Sequence, residues 1–451
     1  MKKYDIIVIG GDAAGMSAAS QARRINSRLS ITVLEKGRHV SYAACGLPYF
    51  IADEVTESEN LIAIDVNEFI AKRNIEIRMN TEVLSVDFSG KIVTAQSSGE
   101  TIQLSYDILV IATGARAIVP PIEGIETPGI FYLRNLDHGI QIKDYIARRG
   151  PGSGIIIGGG FIGLEMAEAL RKKSIDVTII EKFNSVAMPL SPEIREIIAR
   201  TLHDNRVKVH TSAAIHKIEK TGDGISVITD GEVHRADFVI ASAGILPATD
   251  FLRGSGILMN DRGAIVVDEK SMTNIPGVFA AGDCATVKNL ITGNDVYFPL
   301  GTIANKQGRV AGLQAAGVAG EVFRGTVGSQ LVKVFELEVG KTGLNSEDAA
   351  RNEIRADSAT VLWRSRASYY PSSRDLTINL TINADTGELI GGEVAGTDGA
   401  ALRTNVIAAA VTARMKIEDV AYLDLGYAPP FSPVWDPVNA AAQKLSKRKH
   451  G

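Results

Sequence analysis

Cys45 carries the chain's most consequential chemistry, in the segment Ser41-Tyr42-Ala43-Ala44-Cys45-Gly46-Leu47-Pro48-Tyr49. No second cysteine lies near it, the only other being Cys284. A redox thiol without a neighbour must take its second sulfur from a small molecule, or an oxygen from peroxide as sulfenic acid. An unperturbed thiol titrates near about 8.5, so a reduced redox partner or a local positive field is needed to keep it ionised at neutral pH. Cys284 follows Asp283 on an apolar run and reads as a structural, buried thiol.

The elements that must position Cys45 are two copies of one pattern. A short apolar strand over 5–9 runs into Gly10-Gly11-Asp12-Ala13-Ala14-Gly15, a helix over 16–25, and a second strand over 30–34 that ends at Glu35. Glycine lets the backbone turn and approach a pyrophosphate, free N–H groups at the helix start stabilise its charge, and the acid accepts ribose hydroxyls. Asp12-Ala13 interrupts the middle of the first glycine pattern. The pattern returns intact as a strand over 154–157, Gly158-Gly159-Gly160-Phe161-Ile162-Gly163, a helix over 164–173, and a strand over 176–180 ending at Glu181. Glu181 would repel a 2′-phosphate and accept a free 2′-hydroxyl, which favours NADH, while the adjacent Lys182 softens the preference towards NADPH.

A second echo supports two related nucleotide units. Tyr106-Asp107-Ile108-Leu109-Val110-Ile111-Ala112-Thr113-Gly114 matches Ala236-Asp237-Phe238-Val239-Ile240-Ala241-Ser242-Ala243-Gly244, each a buried strand ending in a small-residue turn. Val278-Phe279-Ala280-Ala281 then reaches Gly282-Asp283, where a carboxylate can hold a ribityl hydroxyl, so the first unit resumes after the second. The expected fold is α/β: two Rossmann-like domains, the second inserted in the first, and a C-terminal α+β domain. The boundaries are 1–115 with 256–324, then 116–255, then 325–451.

In this order the motifs resemble the flavin-dependent pyridine nucleotide-disulfide oxidoreductases over nearly the whole chain. The single cysteine resembles the branch of coenzyme A-disulfide reductases, NADH oxidases and NADH-dependent persulfide or polysulfide reductases. The resemblance implies FAD held by Gly10, Gly11, Ala14, Gly15, Glu35 and Lys36, with Thr113, Gly114, Gly282 and Asp283 completing the site. It implies NAD(P)H held by Gly158, Gly160, Phe161, Ile162, Gly163, Glu181 and Gly244, and a C-terminal dimerisation domain. Electrons would pass from NADH through flavin to oxidised Cys45. Its thiolate would attack a coenzyme A disulfide or a CoA-linked persulfide, leaving a mixed disulfide for the flavin to reduce.

The same resemblance implies a homodimer in which Tyr369, of Tyr369-Tyr370-Pro371, and Tyr427, of Gly426-Tyr427-Ala428-Pro429-Pro430, reach the partner's active site. A tyrosine hydroxyl there can donate a proton or hydrogen bond to the departing thiolate. Coenzyme A contacts are implied at Gln21, Arg24, Ser41, Arg73 and Asn305, where guanidinium forks suit phosphate. Ala44 stands where CoA-disulfide reductases often have asparagine, so no side-chain hydrogen bond is expected there. Ala13 stands where NADH peroxidases and some oxidases carry a histidine. The second cysteine and C-terminal His-Glu pair of glutathione- and lipoamide-type relatives have no counterpart.

Composition agrees with a soluble, cytoplasmic enzyme. The 451 residues suit two or three domains, the formal charge of −4 gives no reason to expect nucleic acid, and two cysteines suit a reducing compartment. Neither a signal peptide, a membrane-length apolar run nor a metal-ligand cluster is expected. The basic stretch Lys444-Leu445-Ser446-Lys447-Arg448-Lys449-His450 reads as a frayed, solvated tail. Two alternatives stay open: an NADH oxidase with Cys45 cycling through sulfenic acid, and a redox-sensing electron-transfer protein.

Overall fold

The computed structural model describes the backbone of residues 1–450 and the side chains of residues 1–447. Strand Lys2–Ile9 is nearly all apolar after its first residues, as a strand covered on both faces must be. It pairs in parallel with Ile31–Leu34 on one side and Glu100–Ile111 on the other, so that Ile9 stands beside both Leu34 and Ile111. Glu76–Arg78 extends the sheet beyond Ile31–Leu34, and the antiparallel strands Ile92–Ser97 and Thr81–Asp87 extend it beyond Glu100–Ile111. Strand Val278–Ala280, far later in the chain, joins the same sheet in parallel against Glu100–Ile111.

The second parallel sheet has the order Val207–His210, Asp176–Ile180, Ser153–Ile157, Phe238–Ala241, Ile130–Tyr132. A three-stranded antiparallel sheet, Ile215–Thr221, Gly224–Thr229 and Val233–Ala236, packs over it around Ile155, Ile218, Ile225 and Val239. Ala115–Ala117 and Ile245–Pro247, where the chain leaves the first sheet and returns towards it, pair antiparallel as a two-stranded strap. The observed α/β architecture is therefore two Rossmann-like units, one inserted in the other. The C-terminal part is a five-stranded antiparallel sheet ordered Gln330–Val334, Leu337–Gly343, Leu389–Gly396, Asp375–Asn383, Ala356–Arg364. Helices Ala400–Thr412 and Pro437–His450 bury Ile407, Val411, Val438 and Leu445 against it.

Two helices of the first unit meet almost backbone to backbone. In helix Gly301–Ala315, a Cβ on Gly308 would lie 2.2 Å from the Ala14 carbonyl oxygen, and one on Gly312 would lie 2.3 Å from that of Ala18. Only glycine permits this approach, which brings Asn305 and Arg309 of this helix alongside Gln21 and Arg24 of helix Ala13–Ile25.

Several elements differ from the sequence reading. The glycine turns pass into helix sooner, as Ala13–Ile25 and Phe161–Lys172, because Asp12 and Gly160 serve as extended N-caps. Cys45, which the sequence reading assigned to no element, lies in a short 3₁₀ turn, Ala44–Gly46, that runs into helix Leu47–Ile51. The basic C-terminal stretch is no frayed tail through Lys447: it continues helix Pro437–His450, Leu445 is buried, and the Lys444 ammonium donates to the Thr360 carbonyl at 2.9 Å. The side chains of Arg448, Lys449 and His450, and all of Gly451, lie outside the described residues. Among the described residues, no helix is long and apolar enough to cross a membrane.

Candidate active site

Both glycine turns are built by the same contacts. Gly10 and Gly158 have φ of +105° and +101°, a left-handed conformation that glycine alone adopts readily. A Cβ on Gly15 would lie 1.9 Å from the Gly10 carbonyl oxygen, and one on Gly163 would lie 2.1 Å from that of Gly158. Each helix is thereby packed tightly onto its own turn. The acids at the ends of the second strands brace these turns. Glu35 accepts from the N–H groups of Gly11 and Gly37, both at 2.6 Å, and Glu181 accepts from Gly159 at 2.7 Å and Phe183 at 2.9 Å. A carboxylate offers about four lone-pair sites, so both retain capacity for ribose hydroxyls.

The first turn opens on a cleft of about 520 Å³ at the carboxyl ends of the parallel strands. Gly10, Gly11, Ala14, Glu35 and Lys36 line one wall, and Thr113, Gly114, Gly282 and Asp283 line the others. Gly15 lies behind the turn rather than on the cleft. The second unit contributes Arg134 and His138 to the lining. Arg134 donates to the Asp283 carboxylate and to the Ala115 carbonyl, both at 2.8 Å, tying the two units together. Arg38 and Asp137 form a further ion pair across the cleft. Burial raises the pKa of Asp283, against the pull of Arg134.

At the second turn, Gly160 is extended, and a Cβ there would meet no atom within 4 Å. Ile162 is partly exposed at the helix start, with Phe161 beside it. Gly244 has φ of +105°, and its carbonyl accepts from Ile118 N–H at 2.9 Å. The helix N-terminus and the open space over Gly160 give this turn room for an extended diphosphate.

A second cavity of about 560 Å³ backs onto the first, with Asp12, Ala13 and Tyr42 in both linings. Gln21, Arg24, Ser41, Arg73 and Asn305, drawn from four separate stretches of sequence, all line it. Arg24 donates to the Gln21 side chain, and Arg73 donates to Ser20 at 3.0 Å and to Glu68 at 2.6 Å. Arg309, which no sequence motif marked, adds a third guanidinium and donates to Gln21 at 3.3 Å. Asp12 on the shared wall accepts from Tyr42 N–H at 3.2 Å, and burial pushes its carboxyl up to about 6.

Cys45 is exposed and follows Ser41–Ala43, part of this cavity's wall, by two residues. Partial desolvation of the sulfur raises its pKa, the charges of Glu165 and Asp283 raise it further, and Arg134 opposes them. Glu165, on helix Phe161–Lys172, borders a small recess with Pro48 and Tyr49 of the helix that follows Cys45. Burial and Glu168 push Glu165 up to about 7. Cys284 is buried, and its thiol faces the carbonyls of Ile111 and Ala281 at 3.4 and 3.3 Å. The two tyrosines expected to act together lie apart from both cavities of their own chain. Their hydroxyls are 3.2 Å from each other, on an exposed face.

Residues 4–315 match the pyridine nucleotide-disulphide oxidoreductase family, and residues 329–437 match that family's dimerisation domain. The NAD(P)H sulfur oxidoreductase (CoA-dependent) of Pyrococcus furiosus is 34% identical over 450 residues, covering 99% of this chain and 100% of its own. The NADH oxidase of Methanocaldococcus jannaschii is 34% identical and covers 98% of each chain. The crystal structure of the NAD-dependent persulfide reductase from A. fulgidus superposes with a TM-score of 0.96 at 36% identity, over 99% of this chain and 84% of the other. With paired glycine turns, an exposed cysteine between them and this likeness along its length, the chain belongs to the pyridine nucleotide-disulphide oxidoreductase family of enzymes.

Proposed function

We propose that this enzyme passes electrons from NADH to a coenzyme A disulfide or a CoA-linked persulfide, with Cys45 as its redox thiol. The observation that carries the proposal is the position of one exposed cysteine two residues from the wall of a cavity lined by three arginines. A 3′-phosphate and a diphosphate on a thiol-bearing arm match that combination of forked cations and nearby sulfur.

The first cleft fits FAD: Asp12 makes no side-chain cap to the helix that follows the turn, and the His138 Nδ1, buried without a partner, lies on a residue of the lining. Gly10, Gly11, Glu35 and Asp283 would hold its diphosphate and hydroxyls, and Gly160, Gly163 and Glu181 would hold those of NADH. When bound, FAD would supply two-electron redox chemistry between NADH and a disulfide at Cys45. The protein's own part begins with the Cys45 thiolate, which attacks one sulfur of the substrate disulfide. A Cys45–sulfur bond forms, the substrate S–S bond breaks, and one CoA thiolate leaves with the electron pair. Arg24, Arg73 and Arg309 hold the phosphates so that the substrate sulfur presents itself to Cys45. In a homodimer, Tyr427 and Tyr369 of the partner subunit would give the departing thiolate its proton.

The experiment is anaerobic turnover with NADH and CoA disulfide. Two thiols should form per NADH, and Cys45→Ser should abolish this while NADH still reduces the flavin. Oxygen consumption without thiol release in the wild type would instead support the NADH-oxidase reading, which the 34% identity to an NADH oxidase keeps in play. Unchanged thiol production by Cys45→Ser would remove Cys45 from the mechanism.

A further inference from the structure

Three side chains outside both nucleotide turns and the arginine cavity converge on one point of the second unit. His210 ends strand Val207–His210 at the edge of the parallel sheet, where it stands beside Ile180 in register. His234 lies on strand Val233–Ala236, paired with Val227, and Glu232 lies in the tight turn before it. That turn is closed by the Thr229 N–H donating to the Glu232 carbonyl at 3.0 Å. The three ligand atoms lie within 4.8 Å of one another.

The spacing suits a metal ion. A Glu232 carboxylate oxygen is 3.3 Å from His210 Nδ1 and 3.7 Å from His234 Nε2. Tetrahedral zinc with bonds of about 2.0–2.1 Å separates its ligand atoms by about 3.3 Å. Two of the three edges are therefore close to the required length, and the third, between the two imidazole nitrogens, is at most 4.8 Å and is shortened by rotation of the half-exposed His210 ring. The imidazole rings lie edge to face at 4.4 Å between centroids, so the two side chains are in direct contact. Both rings sit on strands, so their backbones are already fixed. His234 is the least exposed of the three and sits on a paired strand, so its ring is the most firmly placed of the ligands. Two imidazole nitrogens and one carboxylate oxygen favour a borderline ion such as Zn²⁺ over Mg²⁺ or Ca²⁺.

We propose that His210, Glu232 and His234 form a site for a divalent transition-metal ion, Zn²⁺ being the best match, that ties the edge of the parallel sheet to the hairpin packed on it. With three protein ligands and Glu232 exposed, the fourth position is open to water. The site is independent of Cys45 and of the electron acceptor.

The test titrates zinc chloride into chelator-treated holoenzyme carrying Cys45→Ser, so that the exposed thiol cannot bind the ion, with competition against a chromophoric chelator as readout. One Zn²⁺ per chain is expected. His210→Ala and His234→Ala should each raise its dissociation constant at least tenfold, and Glu232→Gln, at an exposed turn position that does not threaten folding, should do the same. His216→Ala, which removes a neighbouring imidazole paired with Asp230, should leave the constant unchanged. Zn²⁺ should also raise the melting temperature of the parent protein but not that of Glu232→Gln. The proposal is overturned if no Zn²⁺ binds, if the three ligand variants bind it as the parent does, or if only His216→Ala weakens it.

Discussion

Two alanine substitutions three residues apart in the second glycine turn should fail in opposite ways. On helix propensity alone, Gly163→Ala should stabilise helix Phe161–Lys172 by about 1 kcal/mol. Its new Cβ, however, would lie 2.1 Å from the Gly158 carbonyl oxygen and 3.1 Å from the Ser242 hydroxyl. That carbonyl has little freedom, since Ser242 donates to it at 3.0 Å and Gly158 N–H donates to Ile180 at 2.9 Å. Forcing helix and turn apart costs about 1–3 kcal/mol in comparable overpacked sites, which outweighs the propensity gain. Gly160→Ala meets no such obstacle: φ is −75°, and the added methyl finds no atom within 4 Å. Its cost to folding is that of a poorer N-cap, a few tenths to about 1 kcal/mol. The methyl does occupy the open space at the helix N-terminus, where the diphosphate of NADH is proposed to bind. The assay is thermal melting of both FAD-loaded variants, followed by anaerobic flavin reduction across a range of NADH concentrations. Gly163→Ala should melt clearly below wild type. Gly160→Ala should melt near wild type and keep its FAD, yet need at least about tenfold more NADH, a loss of about 1.4 kcal/mol. Wild-type NADH dependence in Gly160→Ala, or a raised melting temperature in Gly163→Ala, would refute the reasoning.

Three further outcomes are expected. Arg24→Ala should raise the KM for CoA disulfide roughly 10- to 150-fold, the equivalent of a charge-assisted hydrogen bond worth about 1.5–3 kcal/mol, and leave the KM for NADH alone; equal effects on both would place Arg24 outside the acceptor site. Tyr427→Phe should slow thiol release by roughly 100-fold while flavin reduction by NADH keeps its rate, and equal rates in both steps would make the ring structural. Glu165 gains negative charge as pH rises through about 7 and so raises the Cys45 pKa; Glu165→Gln should therefore speed iodoacetamide alkylation of Cys45 in the NADH-reduced enzyme above pH 7. The ratio of variant to wild-type rates should fall towards one as the pH drops and Glu165 is protonated, and a ratio of one at every pH would refute the coupling.

What the sequence disclosed and what it hid divide along the range of the interactions involved. Each glycine turn, with its strand before, helix after and acid at the next strand end, is contiguous over some 30 residues, so its pattern is readable without tertiary structure. The return of Val278–Ala280 to the first sheet was legible because it repeats a strand-to-glycine pattern already present twice. Arg134 belongs to no motif, and its bond to Asp283 joins residues 149 apart in the chain. Arg309 and Glu165 acquire their places only when helices pack, Arg309 through the glycine contact of two helices and Glu165 through the recess beside Tyr49. The C-terminal helix shows a different failure. Val438, Ala441, Ala442 and Leu445 follow the i, i+3, i+4, i+7 spacing of a buried helical face, and the charges interleaved among them hid that periodicity.

The roles of Glu35 and Glu181 show how such hidden contacts bear on chemistry. The sequence suggested ribose acceptors, and both carboxylates are first of all braces, each reaching back to the second glycine of its own turn. A carboxylate already held by two backbone N–H groups pays little further ordering cost when a ribose arrives, so the brace preorganises the acceptor. The same bonds fix the turn on which a diphosphate is proposed to rest. Glu181→Gln would retain the size but replace one acceptor oxygen by a donor facing Gly159 or Phe183 N–H, so its effect would reach the turn as well as the ribose. The acid's identity is therefore set by the protein's own backbone before any nucleotide is considered, and the proposed preference for NADH would be a second consequence of the same negative charge.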